Sequence, residues 1–401
     1  MHALRVVALT LVALLVPFAA VLGYATADPV FSYAVNLYLF DLPLALLAVL
    51  TIPALAGQVR ARTLGLGATL WLALTAVVLL SFAAHPSIEG IQRAARVFAA
   101  LAIAVAYGRL DRQERTLVVG ALALAALTQS VWAVAQVLNG GPLGATWLFE
   151  SQKALPKAGD AWVPKGSMQT PYLLAALALV SGLVVTRRML VARRPLAWAG
   201  VVAALVVPVG LTYSRGALAG VIAAIGALAP RARRDLARRI AIASLAVGIG
   251  VPGLLTWSGW VARGEQFGEE RADSGRGILL LQGLAVFAME PLVGVGPGRY
   301  MAAVRTLTDD PAIKTRLLPT HDVPLLAAAE SGVLAGAIVV VLLGALLVRA
   351  IRDRDDAALA LNVVLLPFWL LDPLPYSLPQ GIVLTGLWLG ALDVAHRDPS
   401  A

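Results

Sequence analysis

Residues 323–348 read VPLLAAAESGVLAGAIVVVLLGALLV, and Arg349, Arg352 and Arg354 follow at once. From Val333 to Val348 no polar side chain interrupts the run, and nothing alternates with period two as a half-buried strand would. A helix needs about 20 such residues to cross a hydrocarbon layer roughly 30 Å thick. Within that layer the backbone must satisfy its own hydrogen bonds, so blocks of this kind predict spanning helices and exclude a barrel of alternating strands.

Outward from this stretch the same pattern fills the chain. Of 401 residues, 59% are hydrophobic and only 14% charged, where a soluble domain carries about 25% charged residues. The mean hydropathy is +0.82. The sequence predicts an all-α, polytopic integral membrane protein with about 12 transmembrane helices. These fall near 5–24, 35–55, 65–84, 90–108, 117–138, 170–186, 196–213, 216–230, 240–257, 323–348, 357–371 and 379–395. The first resembles a signal peptide but lacks a small-residue cleavage site, and it reads as a retained helix. With no cysteine, disulfides, thiolate nucleophiles and cysteine-ligated metal or iron–sulfur centres are excluded.

Arginine and lysine set the expected orientation, because short cytoplasmic loops hold the excess of positive charge. One alternating set of loops, from Arg5 through Arg109–Arg115, Arg187–Arg194, Arg231–Arg239 and Arg349–Arg354 to Arg397, holds 19 of the 32 basic residues and 8 of the 23 acids, a net +11. The rest of the chain nets −2. The basic set is expected in the cytoplasm with both termini, which places the protein in a bacterial inner membrane. The formal charge of +9 is thus a topology signal spread over many loops, and it gives no reason to expect a nucleic-acid partner.

Two connections break the hairpin rhythm on the other side: Asn139 to about Gln169, and about Ser258 to His321, between the ninth and tenth expected helices. Connections of that length in a compact protein are usually functional. The second, residues 258–321, reads as a periplasmic loop region that contributes to the active site of a single membrane domain spanning 1–401. Its stretch Gly277–Val293, interrupted by Gln282 and Glu290, is expected to lie in the interface as a helix.

His321 stands where that loop meets the tenth helix, in Leu318-Pro319-Thr320-His321-Asp322. A histidine near its intrinsic pKa is suited to deprotonate a hydroxyl at neutral pH, although a histidine at a helix start also serves structure alone. Two arginines lie at helix starts on the side the charge rule does not favour. Arg215 follows Thr212-Tyr213-Ser214, and Arg276 follows Asp273-Ser274-Gly275. Helix N-termini attract anions, and guanidinium forks grip phosphate oxygens in pairs, so the two fit a diphosphate. The structural alternative for Arg276 is an ion pair with Glu269, Glu270 or Asp273. His2 and His396 have no apparent partners, and His85 reads as a helix-end histidine. Asp41, Glu330 and Asp372 sit in or at the ends of spans, where ionisable groups act either in function or as structural locks. Gly294-Val295-Gly296-Pro297-Gly298 lacks the strand and the Gly-Lys-Ser/Thr of a nucleotide loop and reads as a sharp turn. Asp309-Asp310 has no partner at ligand spacing, so no metal and no other cofactor is expected.

These residues in this order resemble the O-antigen ligase and polymerase superfamily of WaaL-type ligases and Wzy-type polymerases. Thr212-Tyr213-Ser214-Arg215-Gly216-Ala217-Leu218 is similar to its Ser-Arg-Gly helix start. Ser274-Gly275-Arg276 with Pro291-Leu292-Val293-Gly294-Val295-Gly296-Pro297-Gly298 is similar to its outer-loop segment. His321 and Ala329-Glu330-Ser331-Gly332 resemble its His-Asn…Glu-x-Gly pattern, with Asp322 in place of the usual asparagine. The resemblance covers about 120 residues, Leu211 to Gly332.

What the resemblance implies is metal-independent, inverting transfer of an oligosaccharide from undecaprenyl diphosphate to lipid A-core on the periplasmic face. Arg215 and Arg276 would hold the diphosphate. His321 would act as base, and Arg93 and Arg96, three residues apart on one helix face, would assist. The alternatives are a polymerase extending the glycan on its carrier and, from another class, a transporter or lipid flippase with broken helices and internal repeats.

Overall fold

The computed structural model describes residues 1–18, 21–24, 36–145, 155–168, 170–192, 194–233, 235–270, 275–307 and 318–397; side chains are described over the same ranges except 21–24, 36, 266–270, 275–276 and 395–397. Among the described residues the helices are α1 (His2–Leu15), α2 (Asp41–Ala61), α3 (Leu66–Ala84), α4 (Ile88–Tyr107), α5 (Arg112–Asn139), α6 (Pro171–Leu190), α7 (Leu196–Leu211), α8 (Arg215–Ala232), α9 (Leu236–Leu255), α10 (Trp257–Glu270), α11 (Gly275–Met289), α12 (Tyr300–Leu307), α13 (Val323–Ser331), α14 (Val333–Arg352), α15 (Asp356–Leu371), α16 (Leu374–Ser377) and α17 (Pro379–Arg397). Two small antiparallel hairpins, β1 (Val21–Tyr24) with β2 (Asn36–Tyr38) and β3 (Lys157–Ala158) with β4 (Ala161–Trp162), are the exceptions to the all-α expectation.

Helix starts follow local chemistry. Ser87, Asp111, Thr170, Ser214, Asp235, Asp322 and Asp355 each accept a backbone N–H of the first turn, which removes one orphan donor per helix. Seven helices, α2, α3, α5, α6, α8, α9 and α14, are long and apolar enough to cross a membrane, and α1, α7, part of α11 and α15 are shorter apolar helices. The chain is a multi-pass helical membrane protein. Exposed Leu42, Leu46, Val49 and Ile52 recur at helical spacing on α2, an apolar stripe of the kind a lipid-facing helix presents. In contrast, 83% of the apolar window of α6 is buried, so α6 stands in the middle of the bundle. Helices approach closely where a side chain is missing: a Cβ on Gly220 of α8 would stand 2.5 Å from the Val364 carbonyl oxygen of α15, and one on Gly248 of α9 would stand 2.3 Å from that of Ala203 on α7.

Four expectations need correction. The first helix was expected to reach residue 24, but it ends at Leu15 and residues 21–24 pair as a strand with 36–38. For the same reason the second begins at Asp41 and not at 35, and it runs on to Ala61. The span expected over 323–348 is two helices: Gly332, at φ +86°, breaks it into α13 and α14. Apolar content alone does not distinguish a continuous helix from one interrupted at a single left-handed residue. The interfacial stretch expected to start at Gly277 lies in α11, which ends at Met289 before a turn.

The arginine-rich connections share one end of the bundle. There His2 Nε2 lies 2.6 Å from Glu114 Oε1, Arg231 and Arg238 both reach Asp356, and Arg187 donates to the Ala391 carbonyl at 3.2 Å. The N-terminus of α1 thus lies beside the start of α5, at the basic end.

Candidate active site

The opposite end is built around the first turns of α4. Ser87 caps the helix by accepting from Gly90 N–H at 2.9 Å. The sequence that follows, IEGIQRAAR, places Glu89, Gln92, Arg93 and Arg96 at i, i+3, i+4 and i+7, one face of the helix. All four line a cavity of about 660 Å³, counting the space at its mouth, together with Tyr38, Tyr300 and Glu330.

Arg93 is held from three directions. Its Nε lies 3.2 Å from Glu330 Oε2 and its Nη2 donates to Glu330 Oε1 at 3.3 Å, a two-pronged pair in which the side chains are only 12% and 2% exposed. Its Nη1 donates to the Tyr376 carbonyl, and its plane lies 4.9 Å from the Tyr376 ring centroid. Arg96 pairs with Asp41 at 3.3 Å and stacks over Tyr38 at 5.5 Å, while Asp41 also accepts from Tyr38 N–H at 2.9 Å. Asp41 and Glu330, conspicuous in the sequence as ionisable groups in or at the ends of apolar spans, are the partners of these two arginines. Asp372 accepts from Leu374 N–H at 3.1 Å as α16 begins, and His85 Nε2 lies 2.7 Å from Glu290 Oε2.

Glu330 also fixes the glycine-rich loop. The backbone N–H groups of Gly298 and Tyr300 face its carboxylate, and Ser81 Oγ donates to its carbonyl at 3.1 Å. Along the loop, Val295 N–H donates to the Ala329 carbonyl and Gly296 N–H to the Glu330 carbonyl, each at 3.0 Å, and Val333 N–H donates to Pro291 at 2.8 Å. A Cβ on Gly294 would stand 2.3 Å from the Glu330 carbonyl carbon, and one on Gly332 would stand 2.0 Å from the Leu292 oxygen. Backbone lies against backbone here, which is why glycine recurs. Burial pushes the Tyr300 phenol up, while the Thr320 backbone N–H that faces its oxygen opposes the shift.

Pro319 lines the cavity, and His321 follows two residues later, half-buried at the entry to α13. Asp322 accepts from Leu325 N–H at 2.7 Å. The departure from the usual asparagine therefore leaves the cap intact, since aspartate and asparagine serve equally there.

Arg215 begins α8 at the same end of the bundle and is exposed, with Ser214 accepting from Ala217 N–H at 3.2 Å. It does not line the cavity of Arg93 and Arg96. Its turn is held by Tyr213, a buried residue at φ +50° whose ring meets Trp260 edge-on at 5.6 Å. The backbone of Arg276 lies in the first turn of α11, but its side chain lies outside the described residues, as do Asp309 and Asp310.

The structure therefore brings Arg93, Arg96 and the segment leading to His321 to one cavity, and adds Glu330, Asp41, Gln92, Tyr38 and Tyr300, which the sequence did not assign to a site. Gln92 and Glu89 were recoverable from their helical spacing with Arg93 and Arg96. The pairing of Arg93 with Glu330, far along the chain, carried no local signal.

The cavity lies at one end of the apolar helices and has polar and charged side chains in its lining. Residues 201–340, about a third of the chain, match the family model described as O-antigen ligase, which supports the resemblance of this region to the O-antigen ligase and polymerase superfamily. The matched region contains Arg215, Arg276, His321, Glu330 and the glycine loop, while Asp41, Arg93 and Arg96 precede it. That family is glycosyltransferase-like, so the match supports an enzyme. No curated protein matches the chain.

Proposed function

We propose that this protein transfers O-antigen glycan from undecaprenyl diphosphate to a hydroxyl of lipid A-core, on the periplasmic face of the inner membrane and with both termini in the cytoplasm. The acceptor oxygen attacks the anomeric carbon, the bond from that carbon to the diphosphate oxygen breaks, and undecaprenyl diphosphate departs with the electron pair. The acceptor proton passes to His321. A single displacement of this kind inverts the anomeric centre. Arg215 and Arg276 grip the diphosphate and offset the charge that builds on it, a stabilisation felt mainly in the transition state. Arg93 and Arg96, each already balanced by a carboxylate, serve as oriented donors lining the acceptor side of the cavity.

The observation that carries this reading is the cavity itself: a buried Arg93–Glu330 pair beside the segment Pro319–His321, with its Glu330 and Pro319 walls inside the family-matched region. The deciding experiment is reconstitution of the purified protein with undecaprenyl-diphosphate glycan and lipid A-core. Glycan on lipid A-core, formed equally well in chelator, is the expected product. Longer glycan retained on the carrier would make the protein a polymerase with the same donor, leaving group and base. No transfer by an intact, monodisperse protein would overturn the reading.

A further inference from the structure

Glu89 stands in the first turn of α4, where an acid complements the helix dipole whatever else it does. Its stem is fixed. A Cβ on Gly298 would stand 2.9 Å from the Glu89 carbonyl oxygen and 3.1 Å from the Glu89 Cβ, so the glycine loop lies directly on it. The helix dipole does not require the place Glu89 also holds in the cavity lining, beside Gln92 and Arg93.

The neighbouring cations are committed within the protein. The ordinary partner for Glu89 is Arg93, one turn further along the same face. Arg93 instead turns Nε and Nη2 to Glu330 and gives Nη1 to the Tyr376 carbonyl, and Arg96 is paired with Asp41. Among the described residues Glu89 makes no ion pair, and its carboxylate accepts no hydrogen bond. A carboxylate only accepts, through about four lone-pair positions, so what it lacks here is a donor from outside.

Tyr300, in the same lining, is buried, and its hydroxyl proton has no acceptor among the described residues. One acceptor and one donor are thus unfilled at this cavity. A sugar hydroxyl answers both, because it gives one proton and takes another. Tyr38, Met301, Pro319 and Pro379 add flat or apolar surface for the C–H faces of a sugar ring.

We propose that Glu89 selects the acceptor of the transfer site: its carboxylate accepts the hydroxyl protons of a sugar with free neighbouring hydroxyls and turns away one that carries a phosphate beside the accepting position. This rests on the transfer reading above and adds to it the chemical class of the acceptor sugar. Selection works from both sides. A neutral sugar fills the empty acceptor positions, whereas a phosphate brings like charge against a carboxylate that has no cation of its own to spare.

The test uses the full-length protein in detergent and two probes: lipid A-core ending in an unsubstituted hexose, and the same glycolipid with a phosphate monoester on that hexose. Binding of each is measured without donor by native mass spectrometry, and transfer is measured separately with undecaprenyl-diphosphate glycan. Wild type should prefer the unsubstituted probe. Glu89→Gln should weaken binding of that probe by about tenfold, the usual effect of losing a charged hydrogen-bond partner, with KM rising more than kcat falls and the preference over the phosphorylated probe narrowing. Glu89→Asp, which keeps the charge on a shorter stem, should bind the unsubstituted probe less well than wild type and still reject the phosphorylated one. It keeps the test decisive if the glutamine variant does not fold. A purely structural acid at the helix start would lower the unfolding temperature of Glu89→Gln and leave the ratio between the probes unchanged, which would overturn the proposal. So would a wild-type preference for the phosphorylated probe, or binding of neither. Absence of transfer by wild type would defeat the transfer reading alone, because the binding ratio would still decide what Glu89 does.

Discussion

The two ends of α4 handle arginine in opposite ways. At its first turns Arg93 and Arg96 each meet a carboxylate, Glu330 and Asp41, and the paired side chains are nearly buried. At its last turn Tyr107 shares a cavity with Arg115, Arg187 and Arg188, and Asp355 attracts Arg187 from outside the lining. A balanced pair costs little further and holds a shape. In the proposed reaction Arg93 and Arg96 are therefore oriented donors whose charge is already balanced, and arginines outside that lining, Arg215 and Arg276, would supply the net positive charge for the diphosphate.

The sharpest way to break this division is at His321, where chemistry and not charge balance is proposed. His321→Ala should lower turnover by roughly 10² to 10⁴ with little change in donor affinity, the range for losing a general base. Single-turnover kinetics with undecaprenyl-diphosphate glycan, alongside direct donor binding, would show it. Lost affinity with an unchanged chemical step would move His321 from catalysis to binding.

Next in size is the buried pair. Glu330→Ala leaves Arg93 charged and unpaired in a nearly dry site, and should cost about 3–5 kcal/mol of stability, read by denaturant or thermal unfolding in detergent. Adding Arg93→Met should restore much of the loss. If the double variant is no more stable than Glu330→Ala, the two groups are not coupled and the contrast between the ends fails.

The loop that Glu330 holds offers a smaller effect. Gly332→Ala places a methyl group 2.0 Å from the Leu292 oxygen at a left-handed φ of +86°. A loss of about 1–3 kcal/mol is expected in the same unfolding assay. Ala substitution at Gly344, which has open space around it, is the control that should leave stability nearly unchanged.

The smallest effect lies at the basic end. Arg115→Gln should change stability by less than about 1 kcal/mol, because the lost backbone contacts and the relieved repulsion with Arg187 oppose each other. The unfolding temperature of that variant in phosphatidylcholine nanodiscs measures it. A loss as large as that of Glu330→Ala would mean the cluster is balanced internally, like the pair at the other end.

Much of this architecture was legible beforehand, for local reasons. The α3, α4 and α5 boundaries fall within about five residues of those read from apolar runs, because Ser87 and Asp111 signal helix starts in their own neighbourhood. The end of α1 and the start of α2 were misplaced because residues 21–24 pair with 36–38, a contact no single run of residues encodes. At the candidate site, Arg215, Arg276 and His321 stood out by residue type and position, and Arg93 and Arg96 by their shared helix face. What they meet did not stand out.

The sequence by itself determined the solvent this chain lives in, the helices that answer to it, and which ionisable side chains are out of place among apolar neighbours. Those properties follow from hydropathy and periodicity, which are local. Only the tertiary structure decided that Arg93 is matched by Glu330 and Arg96 by Asp41, and that Arg115, Arg187 and Arg188 share one cavity with Tyr107. It also decided that Gly332 breaks a run that reads as one span. Charge balance and backbone clearance depend on which helices come side by side, and apolar packing between many similar surfaces, not any single motif, makes that choice.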